Sequence, residues 1–117
     1  MKSNPSPLEY DECKLFATWL GLKGLMFSHI PNNTYTPSFG AKQRNKALGL
    51  QSGLPDYLIL TPKGIIFVEM KRQTGGTIQL NQKIWIEAIN NTPQAQAQVC
   101  FGFQDAKLFV EKILRAN

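Results

Sequence analysis

The chain is poor in the features that staple or anchor a protein. It has two cysteines, Cys13 and Cys100, in 117 residues, one histidine, His29, and no apolar run near the roughly 20 residues that span a bilayer. Two thiols exclude a disulfide scaffold and do not by themselves make a zinc site. Cys13 falls in a predicted helix and Cys100 in a predicted strand, and both are expected as buried free thiols. The opening residues, Met1 to Pro7, carry one lysine with no apolar core behind it, so no secretory signal is expected and the cytoplasm is the predicted compartment. No membrane association is expected. Repeats and low-complexity tracts are also absent, which predicts one domain over residues 1–117. Acidic residues are scarce where it matters most. Between Cys13 and Ile86 stand nine lysines and arginines but only two acids, Asp56 and Glu69. That imbalance suits a polyanionic partner such as nucleic acid, although solubilising charge gives the same net +5.

The remaining composition, 43% hydrophobic and 18% charged, is that of a globular protein. Leu15, Phe16, Trp19 and Leu20 recur at helical spacing and predict a first helix over 8–22, ended by Gly21 and Gly24. Leu25 to Ile30 reads as a strand. The stretch 32–55 is polar, basic and glycine-bearing, and reads as a long loop of the kind that is often functional. Two strands follow, 56–60 and 65–71, joined by Thr61-Pro62-Lys63-Gly64, whose proline and glycine fit a type I turn in a β-hairpin. A second helix is predicted over 79–91 with Ile84, Trp85, Ala88 and Ile89 on its packed side, then a strand over 98–103 and a closing helix over 105–115. The predicted order, α-β-β-β-α-β-α, makes an α/β sandwich around a mixed sheet.

Within the hairpin, acids stand where packing alone would not place them. If Thr61 pairs with Gly64, Asp56 falls opposite Glu69, and cross-strand neighbours lie about 4.5 to 5.5 Å apart at Cβ. A bulge at Gly64 would move that register by one. Glu69 and Lys71 project from one face of their strand together with Ile65 and Phe67, so a carboxylate enters an otherwise apolar surface. Two facing carboxylates repel unless a proton, a lysine or a metal intervenes, and hard oxygen donors suit Mg²⁺ or Mn²⁺. A cation on Asp56 and Glu69 with Lys71 beside it has the parts for phosphodiester hydrolysis: an acidified water and stabilised charge on the phosphate. A salt-bridged strand edge of Glu69 and Lys71 satisfies the same spacing.

Helix one contributes a third acid. Glu12 lies in the apolar sector of the helical wheel and Glu9 at its margin, so Glu12 points into the core and needs a partner, for which the hairpin metal site would serve. Acids that merely favour a helix N-terminus are the other reading. His29 reads as a packed residue, Trp19 and Trp85 as core, and the Lys42, Arg44, Lys46 cluster either as a phosphate grip or as solvated charge.

Three ordered motifs carry a resemblance: Gly53-Leu54-Pro55-Asp56, Phe67-Val68-Glu69-Met70-Lys71 and Gln82-Lys83-Ile84-Trp85-Ile86. From about Glu9 to Phe103 the chain resembles the virus-type replication-repair nuclease (VRR-NUC) domain of the PD-(D/E)xK nuclease superfamily. The resemblance implies a restriction-endonuclease-like fold and a Mg²⁺- or Mn²⁺-dependent deoxyribonuclease. Asp56 and Glu69 would be metal ligands, helped by the backbone carbonyl of Met70. Lys71 would be the catalytic lysine and Gln82 a helix glutamine at the site. The family also has an acid in its first helix, often followed by glutamine; Glu9 and Glu12 both compete for that place, and the wheel favours Glu12 as a catalytic, metal-binding residue. Lys42, Arg44, Lys46 and Arg72 would contact DNA. Short stand-alone members look like phage proteins and resemble Holliday-junction resolvases. This implies a homodimer acting on branched or four-way junction DNA in a bacterial or phage-infected cell. A non-catalytic DNA-binding module of the same fold is the competing function, and a small structural protein with incidental charge a third.

Overall fold

The computed structural model describes residues 7–31 and 38–116. The elements run α1 (Pro7–Leu22), β1 (Met26–His29), α2 (Phe39–Ala47), β2 (Tyr57–Thr61), β3 (Gly64–Lys71), α3 (Leu80–Asn90), β4 (Ala95–Phe101) and α4 (Phe103–Arg115). The α/β sandwich with a mixed sheet expected from the sequence is present. The four strands lie in the order β1-β2-β3-β4, antiparallel from β1 to β3 and parallel between β3 and β4. A parallel step needs a crossover, and α3 supplies it.

Strand alternation divides the sheet into two faces. Tyr57, Ile59, Ile66, Val68, Met70 and Cys100 lie on one, against Phe16 and Leu20 of α1 and Ala106, Val110 and Ile113 of α4. This is the core. Its aromatic end is ordered by ring contacts, with Tyr57 edge-on to Phe16 at 5.3 Å and Trp19 stacked on Phe16 at 6.2 Å. On the opposite face α3 packs against β4, and Glu69 and Lys71 are buried there.

Sequence and structure part in three places. The expected loop before Pro55 contains α2, whose nine residues bury none of their side chains. With no apolar face there is no periodicity to read; Ser38 starts the helix by accepting a hydrogen bond from the Ala41 N–H at 3.2 Å, and Arg44 and Lys46 favour its C-terminal turn. Residues 32–37 of that expected loop lie outside the described residues. The last strand begins three residues earlier than expected, at Ala95, because the short turn after Asn90 brings Gln94 directly to β3, where its carbonyl accepts from the Ile65 N–H at 2.9 Å. Finally, three apolar residues expected on packed faces are exposed: Leu15 at 54%, Ile84 at 57%, and Ala88. Helical spacing identifies a stripe but not its width. No helix among the described residues is long and apolar enough to cross a membrane.

Candidate active site

The hairpin positions the first carboxylate. Thr61 pairs with Gly64 and Tyr57 with Val68, with no bulge between them, so the ladder continued by one step sets Asp56 against Glu69. Pro55, fully buried, leads the chain into this position. The Asp56 carbonyl accepts from the Ile30 N–H at 2.6 Å, tying it toward β1. Its carboxylate Oδ2 accepts the Met70 N–H at 2.8 Å. Beyond Val68 the side chain has thus replaced the neighbouring strand as acceptor, and the carboxylate lies against the main chain between Glu69 and Lys71.

Glu69 is fully buried, and its Oε2 takes two donors: Gln82 Nε2 at 2.8 Å and Lys71 Nζ at 3.3 Å. Gln82 is itself held, because its Oε1 accepts the Gln79 N–H at 3.0 Å as part of a capping box at the start of α3. That second bond orients the amide and aims its nitrogen at the glutamate. A buried acid–lysine pair is worth keeping only if the charges are compensated by further hydrogen bonds, as here.

Asp56, Glu69, Lys71, Gln82 and Glu12 are the buried polar or charged residues among those described. The first four form one constellation. Glu12, expected beside the hairpin carboxylates, has two hydrogen-bond partners of its own. It does point into the packed face of α1, but its Oε1 accepts the Phe103 N–H at 2.8 Å and its Oε2 accepts Gln73 Nε2 at 2.6 Å. Its helix packs on the core face of the sheet, through Phe16 and Leu20. Among the described residues no three His, Cys, Asp or Glu side chains cluster as a ligand set. Glu9, one turn earlier, also turns an oxygen away from solvent. Sequence reasoning misses Gln73, because a glutamine in a glycine-bearing loop carries no periodic signal.

Lys42, Arg44 and Lys46 are exposed on α2. Lys42, Asn45 and Lys46 border an open groove with Gln51 and Ser52, and a second open groove lies between Gln51 and Ser52 and the Asn81, Ile84 and Trp85 side chains of α3. The groove floor is fastened to the helix, with Trp85 Nε1 donating to the Ser52 carbonyl at 3.0 Å and Gly53 lying so close to the Asn81 main chain that a Cβ would come within 2.7 Å. Half-buried Arg72 reaches the Gly75 carbonyl at 3.5 Å. His29 packs its ring edge-on to Tyr57 at 5.3 Å. Trp19 packs against the core, while Trp85 spends its indole N–H on the groove. Neither cysteine is in a disulfide, Cys100 being buried and Cys13 half-buried; burial pushes the Cys100 thiol up to about 12, and burial together with Cys13 and Asp56 raises the Tyr57 phenol.

Solved structures share this architecture. One, titled "VRR_NUC domain", is 20% identical with a TM-score of 0.65 and alignment over 91% of this chain and 97% of the other. The second, "VRR_NUC domain protein", is 21% identical with a TM-score of 0.68 over 96% and 92%. No curated protein sequence matches the chain. The family model for the VRR-NUC domain matches residues 12–104, a span that contains the hairpin, the crossover helix and every residue of the buried constellation. The chain therefore belongs to the VRR-NUC domain family, a nuclease-type family.

Proposed function

We propose that the protein is a Mg²⁺- or Mn²⁺-dependent deoxyribonuclease whose reaction centre is Asp56, Glu69 and Lys71, with Gln82 holding Glu69 in place. The observation that carries this reading is the burial of two acids and a lysine on one strand pair, in a chain otherwise dominated by basic residues through its middle. Charges are rarely buried for stability alone. The donor set fits a hard divalent cation, since the Asp56 and Glu69 carboxylates and the Met70 carbonyl offer only oxygen. Such an ion, when bound, acidifies a water and offsets charge on the phosphate.

The chain's own groups supply the rest. Asp56 is held in one orientation by the Met70 N–H. Gln82 and Lys71 both bond to Glu69 Oε2, which fixes the plane of that carboxylate beside it. Lys71 Nζ orients the nucleophile or the scissile phosphate. Lys42, Arg44, Lys46 and Arg72 bind DNA backbone, with α2 and its groove as the approach to the site. One chain has one such centre, whereas cutting both strands of a branched substrate takes two related by symmetry, which favours a homodimer acting on branched or four-way junction DNA. Incubation with linear, flapped and four-way junction DNA, with and without Mg²⁺ or Mn²⁺, tests this reading. Cation-dependent cleavage lost in Lys71→Ala supports it, and binding without cleavage of any substrate would leave a DNA-binding module.

A further inference from the structure

Glu12 and Gln73 stand outside the constellation, yet they meet next to its lysine. The loop joining β3 to α3 begins at Arg72, directly after Lys71. Among the described residues, no main-chain to main-chain hydrogen bond holds residues 73–78. The loop nevertheless folds back on the lysine: a Cβ on Gly76 would lie 3.0 Å from the Lys71 Cβ. What tethers it is a side chain, the 2.6 Å bond from Gln73 Nε2 to Glu12 Oε2.

The other end of that tether is rigid. Gly102, the N-cap of α4, offers no side chain to accept the first N–H groups of the helix, and Glu12 Oε1 reaches over from α1 to accept the Phe103 N–H. The Gly102 N–H donates to the Lys71 carbonyl at 2.9 Å, so the same point grips the main chain of the lysine. Gly102 has a φ of 96°, and a Cβ there would come within 2.7 Å of Gln73 Cγ and 3.2 Å of Glu12 Oε2. Glycine is thus required both by the backbone conformation and by the space the two side chains occupy.

We infer that Glu12 and Gln73 form a latch that seats the β3–α3 loop over Lys71, making both of them positioning residues for the lysine. The catalytic consequence rests on the nuclease reading above; the latch itself does not. Bound to Phe103 and Gln73, Glu12 joins the start of α4 directly to a loop without main-chain hydrogen bonds among the described residues. Displacing a reacting group by about 1 Å can cost about 100-fold in rate, so loss of the tether acts on turnover.

The test exchanges the two ends of the bond. Gln73→Glu sets two carboxylates against each other and breaks the latch. Adding Glu12→Gln restores one donor and one acceptor while keeping an oxygen for the Phe103 N–H. Backbone amide order parameters of residues 72–77 from NMR relaxation and steady-state cleavage with Mg²⁺ are followed in parallel, with thermal melting as the control. In Gln73→Ala, the order parameters are expected to fall from rigid toward flexible values and kcat to fall about tenfold or more, with KM for DNA and the melting temperature unchanged. Gln73→Glu should do the same, and Glu12→Gln/Gln73→Glu should restore the order parameters and return kcat to within about threefold of the starting protein. Wild-type order parameters in Gln73→Ala, or a double variant no better than Gln73→Glu, would overturn the latch. Should Glu12→Gln alone abolish Mn²⁺ binding, Glu12 is a ligand and the proposal falls. If the unaltered protein cuts no DNA, the nuclease reading fails by itself, and the order parameters still decide whether the latch exists.

Discussion

Gln82 Nε2 lies 2.8 Å from Glu69 Oε2, and the same amide accepts the Gln79 N–H, so one side chain both caps α3 and fixes a buried carboxylate. Helix docking and site geometry are therefore joined in a single residue. Gln82→Ala should lose the cap, about 1 kcal/mol, and a charged hydrogen bond, about 1.5–3 kcal/mol. Gln82→Glu should cost more, because it brings a second acid against Glu69. Denaturant unfolding of the two variants beside their cleavage rates checks both; equal stability in all three proteins would contradict the role.

Asp56→Asn and Glu69→Gln preserve shape and remove charge. Each is expected to abolish Mn²⁺ binding by calorimetric titration while the far-ultraviolet spectrum stays native. Of the two, Asp56→Asn has the greater chance to strain the fold, since its amide must still present an oxygen to the Met70 N–H. Undiminished binding in both would remove the pair from the metal site.

Lys71→Ala takes away the partner of a buried acid. DNA affinity should persist and cleavage should stop. Lys71→Met, which keeps the stem volume, separates lost charge from lost packing. A Lys71→Met protein that still cut DNA would show that the amine is dispensable.

Because α2 buries nothing, its charges can be deleted without touching the core. Replacing Lys42, Arg44 and Lys46 with alanine should leave the melting temperature in place and reduce the slope of log affinity against log salt by about 0.9 for every phosphate these side chains neutralise. An unchanged slope would exclude α2 from the interface.

Cys100, with its thiol pushed up to about 12, should resist thiol reagents in the native state while half-buried Cys13 reacts. The sign of the linked stability follows. The folded thiol holds its proton more tightly than the unfolded one, whose ordinary value is 9.0, so its contribution is full below that value and is lost as pH rises toward 12. The Tyr57 phenol, also raised, acts in the same direction. Denaturant midpoints should fall between about pH 7 and about pH 10, and less so in Cys100→Ala.

Much of the fold was legible because its signals are local. The Pro62-Lys63 turn determines the hairpin register, and the register carries Asp56 to Glu69 without any long-range information. Alternation then puts Glu69 and Lys71 on one face. What could not be read depends on partners distant in the chain. The wheel places Glu12 inward, but nothing near it announces Phe103, 91 residues on, or Gln73, 61 residues on, as the groups that satisfy it. Helix α2 escaped for the opposite reason: it buries no side chain, so it leaves no apolar stripe to detect.

The buried pair of Glu69 and Lys71 has an evolutionary consequence. Two ionised groups out of water work against the folded state, and exchanging such a pair for neutral side chains of similar volume is often neutral or stabilising by about 1–4 kcal/mol. Glu69→Gln with Lys71→Met keeps an oxygen for Gln82 and fills the lysine's channel. On the nuclease reading, drift relieved of selection for chemistry would move toward such sequences, trading turnover for robustness.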